Sequence, residues 1–99
     1  MDILNRHKDE LKKFCEINRI KKLSLFGSYA KNIFNEESDI DMLIEFEEDA
    51  TPGYLVLARM ENQLTDLFGI KTDLRTANEL SRYFRKQVIK EAIVQYAAK

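Results

Sequence analysis

Between residues 2 and 18, Ile3, His7, Leu11, Phe14 and Cys15 recur at helical spacing with Lys8, Lys12 and Lys13 on the other faces, so the pattern predicts an amphipathic helix. Leu23-Ser-Leu-Phe26 is a short apolar run that stops at Gly27-Ser28, where Tyr29-Ala-Lys31 can begin a helical turn and Asn32 can end it in the left-handed conformation. From Asp39 to Phe46 the chain alternates strictly: Ile40, Met42, Ile44 and Phe46 point one way, Asp39, Asp41, Leu43 and Glu45 the other, as in a strand with one buried face. Thr51-Pro52 reads as a cap and a first-turn proline, and Leu57, Met60, Leu64, Leu67 and Phe68 carry a second helix over 52–68 that stops at Gly69. A third strand follows over Ile70 to Arg75. Thr76 and Glu79 have capping-box spacing, and Leu80, Phe84, Val88, Ala92, Ile93 and Tyr96 predict one last helix with Arg82, Arg85, Lys86 and Lys90 on its exposed side.

The expected fold is therefore α/β (α+β), a small mixed sheet of about three strands flanked by helices, with residues 1–99 as a single domain. A hydrophobic fraction of 44% with one Pro and three Gly is that of a folded chain and excludes low complexity. Sixteen basic and seventeen acidic residues nearly cancel, which predicts no direct contact with nucleic acid. Cys15 is the only cysteine, so neither a disulfide framework nor a cysteine zinc site can form, and no membrane span or signal segment is visible. A cytoplasmic setting is expected. His7, the single histidine, lies on the apolar stripe of the first helix and reads as a packing residue.

Charge distribution changes the picture more than total charge. Residues 36–49 hold eight acids and no Lys or Arg. Such a block reads either as a solvated face or as a cation site, and the spacing bears on the choice. Asp39 and Asp41, two apart on a strand, leave the same face and repel. They must share a proton, reach water or bind a cation, and oxygen ligands suit a hard ion such as Mg²⁺. With ten residues between Ser28 and Asp39, Gly27-Ser28 ends a strand and opens a turn: glycine permits close backbone approach, and Ser28 with the free N–H groups behind it can donate to phosphate. Asp73 is a third carboxylate on the last strand. If that strand neighbours the one bearing Asp39 and Asp41, three carboxylates surround one point beside a phosphate cradle.

Taken together, the strings LFGSYAKN, SDIDMLIEF and TDL resemble the glycine-serine, paired-aspartate and later-acid signature of polymerase-β-like nucleotidyltransferases, and the likeness runs from Leu23 to Tyr96. Within that superfamily the chain is most similar to the minimal nucleotidyltransferases. The resemblance implies transfer of AMP from ATP to a hydroxyl acceptor. It implies that Gly27 and Ser28 hold the triphosphate, that Asp39 and Asp41 bind two Mg²⁺ ions, and that Asp73 helps bind the one that activates the attacking oxygen. The chain departs from the common pattern at Lys31-Asn32, where relatives carry Arg-Gly, and a lysine lacks the planar fork for bidentate phosphate contact.

Ninety-nine residues leave no room for a separate domain to grip an acceptor. Minimal members resemble antitoxins that act on a HEPN-type ribonuclease toxin, so the implied acceptor is a tyrosine of such a partner, with homo- and hetero-oligomers both open. Two alternatives stand beside this: an antitoxin that neutralises its partner by binding alone, and a nucleotidyltransferase for a small molecule or an RNA end.

Overall fold

The computed structural model describes residues 2–98 except Asn32, Phe34 and Glu36, and describes only the backbone of Asp2 and Ser28. The expected left-handed turn at Asn32 lies outside the described residues. In chain order the elements are α1 (Asp2–Arg6), α2 (Lys8–Ile17), β1 (Ile20–Phe26), α3 (Gly27–Ala30), β2 (Ile40–Phe46), α4 (Tyr54–Phe68), β3 (Thr72–Arg75), a 3₁₀ turn (Ala77–Glu79), α5 (Arg82–Glu91) and β4 (Ile93–Ala97). The strands form one sheet in the order β3-β2-β1-β4. β1 runs antiparallel to both neighbours, while β3 lies parallel to β2 because α4 carries the chain back between them.

One face of the sheet is the core. Leu23 and Leu25, Ile40, Met42 and Ile44, and Leu74 are all buried there against Leu11 and Cys15 of α2 and Leu57, Met60, Leu64 and Phe68 of α4. The strict alternation of β2 is thus a division between oil and acid, with every second side chain removed from water. Burial pushes the Cys15 thiol up to about 12, with Glu16 adding to the effect, so it packs as a small apolar residue and stays protonated.

The second face carries Ser24, Phe26, Asp41, Leu43, Glu45, Asp73 and Arg75. α5 crosses this face, since Ile89 and Ala92 stand over Leu43 and Ser24 around a common cavity. None of the residues of α5 is buried.

Several boundaries differ from the sequence-based expectation. The first helix breaks at His7, whose ring meets Phe68 edge-on at 6.0 Å while Nδ1 lies 2.7 Å from Glu10 Oε2, consistent with a packing role. α4 begins after Gly53, not at Thr51-Pro52: its first backbone bond runs from Leu57 to Gly53, where the buried stripe begins. The largest difference is at the C-terminus, where the expected helix through Tyr96 stops at Glu91 and Ile93–Ala97 becomes a fourth strand paired with β1. The capping box exists, with Glu79 Oε1 accepting from the Thr76 N–H at 3.0 Å, but it closes only the 3₁₀ turn. Ser81 caps α5 instead. Phe84, assigned to the core stripe, is 65% exposed, and Arg85, assigned to the exposed side, is half-buried with its Nη2 donating to the Leu80 carbonyl. A strand wins over the helical period here because β1 would otherwise expose a bare edge beside a β-branched Ile93-Val94 pair.

The opposite edge is closed by side chains. The Leu74 N–H donates to Glu61 Oε2 at 2.7 Å and the Thr72 N–H to Thr65 Oγ1 at 3.0 Å, so two residues one turn apart on α4 satisfy the outward donors of β3. Among the described residues no helix is long and apolar enough to cross a membrane.

Gly69 ends α4 at φ +71° and has open space where a β-carbon would be, so strain alone governs its replacement. Gly69→Ala should destabilise the fold by about 1–2 kcal/mol in urea denaturation, and Gly69→Asn by clearly less. Equal losses for the two variants would contradict the left-handed cap.

Candidate active site

The sheet register gathers the acids. Asp41 of β2 stands directly opposite Asp73 of β3, and on its other side opposite Phe26, the last residue of β1. Asp39, two residues ahead of Asp41 on the same alternation, lies just before β2 begins. All three carboxylates therefore come to one face and one end of the sheet, as the spacing requires if β2 and β3 are neighbours. Immediately after Phe26 the chain turns at Gly27, with φ +75°, into α3.

Gly27 and Asp41 are in intimate contact. A β-carbon at position 27 would lie 2.6 Å from Asp41 Oδ2, so no other residue fits without displacing the carboxylate. The opening turn of α3 thus starts against the acids, and the first N–H groups of a helical turn have no partners within it. Of Gly27 and Ser28, the two expected phosphate holders, the backbone is placed beside the acids; the Ser28 side chain lies outside the described residues. The buried Tyr29 ring anchors α3 from below, its hydroxyl donating to the Ser38 carbonyl at 3.5 Å, next to Asp39.

Burial raises the Asp41 pKa first, and the negative charges of Asp73 and Asp39 raise it further; Arg75 and Lys71 pull it down without cancelling the effect. These two cations escaped the sequence reading. Lys71 Nζ is 3.8 Å from Asp39 Oδ2, and Arg75 Nη1 is 3.9 Å from Glu61 Oε2. Lys71, Asp73 and Arg75 alternate at two-residue spacing, a signal that period-two reasoning around Asp73 could have used. Lys31, which by sequence lacks the fork for a bidentate phosphate contact, lies 3.7 Å from Glu91 and ties the end of α3 to α5.

The donor set suits a hard divalent cation shared with a nucleotide. Among the described residues no three His, Cys, Asp or Glu side chains close into a cage. An open face of carboxylates is what Mg²⁺ accepts, because it takes one or two protein carboxylates and completes its shell with water and phosphate oxygens. The gathering of Asp41, Asp73 and Asp39 at one end of the sheet, where burial and mutual repulsion raise the Asp41 pKa, is the feature in favour of a cation here.

Residues 6–96 match the family described as Nucleotidyltransferase domain. The chain is 43% identical over 93 residues to a Methanocaldococcus jannaschii protein provisionally named a protein adenylyltransferase, across 94% of this chain and 90% of that one. It is 34% identical over 91 residues to the protein adenylyltransferase MntA of Thermococcus cleftensis, across 92% and 87%. The solved structure of a protein provisionally named a minimal nucleotidyltransferase superimposes with a TM-score of 0.77 at 32% identity, covering 93% of this chain and 92% of that one. A chain in the solved complex of a tri-AMPylated Shewanella oneidensis HEPN toxin with an MNT antitoxin has the same fold, with a TM-score of 0.69 at 18% identity over 95% of this chain and 72% of that one.

A carboxyl whose pKa is raised by folding makes the folded state bind more protons than the unfolded one. Its contribution to stability is full below the unfolded value and declines as the pH rises through the folded value. In EDTA at pH 7, Asp41→Asn should therefore melt at a higher temperature than the parent, and the gap should narrow as the pH is lowered toward 4. A variant that melts lower at pH 7 would show that Asp41 is stabilised where it stands.

Proposed function

The chain belongs to the nucleotidyltransferase domain family and is a transferase of that kind, and we propose that it moves AMP from ATP, with Mg²⁺, to a tyrosine hydroxyl of a partner HEPN toxin and so acts as an antitoxin. The observation that carries the proposal is the pairing of Asp41 with Asp73 across parallel strands, with Gly27 pressed against the same carboxylate. Relatives with names of protein adenylyltransferases and a fold shared with an MNT antitoxin support the acceptor class.

In this reading Asp39 and Asp41 would hold two Mg²⁺ ions and Asp73 would help hold one of them, while the backbone N–H groups at Gly27 and Ser28 would grip the triphosphate. Mg²⁺ held there supplies neutralisation of the charge that develops on the departing pyrophosphate. The acceptor oxygen bonds to the α-phosphorus as the bond from that phosphorus to pyrophosphate breaks, and a carboxylate oxygen of Asp73 takes the hydroxyl proton. Lys71 and Arg75 offset part of the upward push that burial, Asp73 and Asp39 exert on the Asp41 carboxyl, and Lys71 lies 3.8 Å from Asp39. The near-neutral chain draws in no polyanion by bulk charge, which favours a protein acceptor brought by docking.

Labelled ATP, Mg²⁺ and a cognate HEPN protein should give labelled toxin. Asp41→Asn should cut the rate by about a thousandfold, since several kcal/mol of charge stabilisation are lost at 1.36 kcal/mol per tenfold, while still co-purifying with the toxin. No label transfer by the parent protein would remove the proposal, and full toxin neutralisation by Asp41→Asn would replace chemistry with masking.

A further inference from the structure

We infer that the nucleoside half of the substrate sits in the cavity between the polar face of the sheet and α5, which makes α5 the element that covers the base. The inference rests on the transfer reading above and goes on to assign a site that reading leaves blank.

The cavity has a volume of about 330 Å³, at the lower end of the range for pockets that enclose small organic ligands. Its construction is that of a ring slot. Leu43 forms an apolar floor, Ile89 of α5 and Ala92 just after it an apolar roof, and Val94 of β4 a side wall. Asn78 and Glu45 line the same space, the Glu45 carboxylate also lying 3.7 Å from Lys21 Nζ. An amide that offers both a donor and an acceptor matches the edge of an adenine, and a carboxylate accepts from an exocyclic amine.

Its position relative to the acids follows from the register. Phe26, Asp41 and Asp73 make one row across the sheet, and Ser24, Leu43 and Arg75 make the next row on the same face, with Val94 beside Ser24. Two residues of strand separate the rows, ~6.6 Å. That is the span of one ribose between an α-phosphate held at the first row and a base lying on the second. At the near end, Val88 and Glu91 of α5 border Phe26, Gly27 and Lys31, so the same helix runs from the phosphate turn to the slot. Ile89, half exposed to solvent, gains an apolar contact when a ring enters.

Two probes separate this inference from the reading beneath it: Mg-ATP, which carries a base, and Mg-tripolyphosphate, which does not. Calorimetry on the parent chain should register both. Ala92→Phe, which fills the slot, should weaken Mg-ATP at least tenfold and leave Mg-tripolyphosphate within twofold. Should that variant fail to fold, amide resonances of the parent protein give the same answer: Leu43, Ala92 and Val94 should shift with Mg-ATP and stay in place with Mg-tripolyphosphate. Unchanged ATP affinity in a folded Ala92→Phe, or no shift at those amides, overturns the base seat and leaves the transfer reading intact. Retained ATP affinity with lost labelling of the toxin also overturns it and assigns the cavity to the acceptor. Failure of the parent protein to bind either probe removes the transfer reading together with the inference.

Discussion

The parallel pairing of β2 with β3 is the constraint on which the rest depends, because it sets Asp73 beside Asp41 and nothing local forces it. A slip of one residue would turn Asp73 into the core and Leu74 into the acid face. Two features hold the register. Thr72 and Leu74 are fully buried, so the slipped strand would expose them and bury a charge. Glu61 and Thr65 of α4 then accept the outward N–H groups of Leu74 and Thr72, and their spacing of one helical turn matches the two-residue spacing of the donors. The core stripe of α4 thereby reaches the site: Leu57, Met60 and Leu64 fix the helix, the helix fixes the strand edge, and the edge fixes Asp73.

Much of this was legible in the chain itself. Strict alternation over residues 39–46 revealed the strand and its acid face, and the stop at Gly27 marked the turn. The sequence could say that Asp73 lay on a strand but not on which neighbour, since register between distant segments is a tertiary fact. What it concealed was β4. Leu80, Phe84, Val88, Ala92 and Tyr96 repeat every four residues, so helical and extended readings of the last segment overlap, and only the presence of β1 with an unpaired edge decides between them. The break at His7 was hidden for a related reason, because one periodic stripe spans both helical pieces. Lys71 and Arg75 share the alternation of Asp73, but the carboxylates they temper lie on the neighbouring strand, which only the fold brings beside them.

The two faces of the sheet are built to opposite rules. The core face removes apolar side chains from water and is closed. The other face concentrates repelling charge, leaves a cavity under α5, and is covered by a helix with no buried residue. In the proposed transfer, loose cover would suit a surface that admits a triphosphate and releases pyrophosphate, and a tightly packed α5 would give stability at the expense of entry.

Gly27 shows how the two rules meet. Its missing side chain lets the opening turn of α3 lie against Asp41, so a carboxylate and the free N–H groups of a helical turn come within one contact of each other. A larger residue there would separate them even if every acid were retained, and the left-handed backbone would resist it independently of space. The site is therefore a single unit whose parts are distant in the chain. The acids alone would make a charged strand, the turn alone would be an ordinary strand end, and only their contact, set by the β1–β2 register that places Phe26 beside Asp41, gives a surface fit to hold opposite charges side by side.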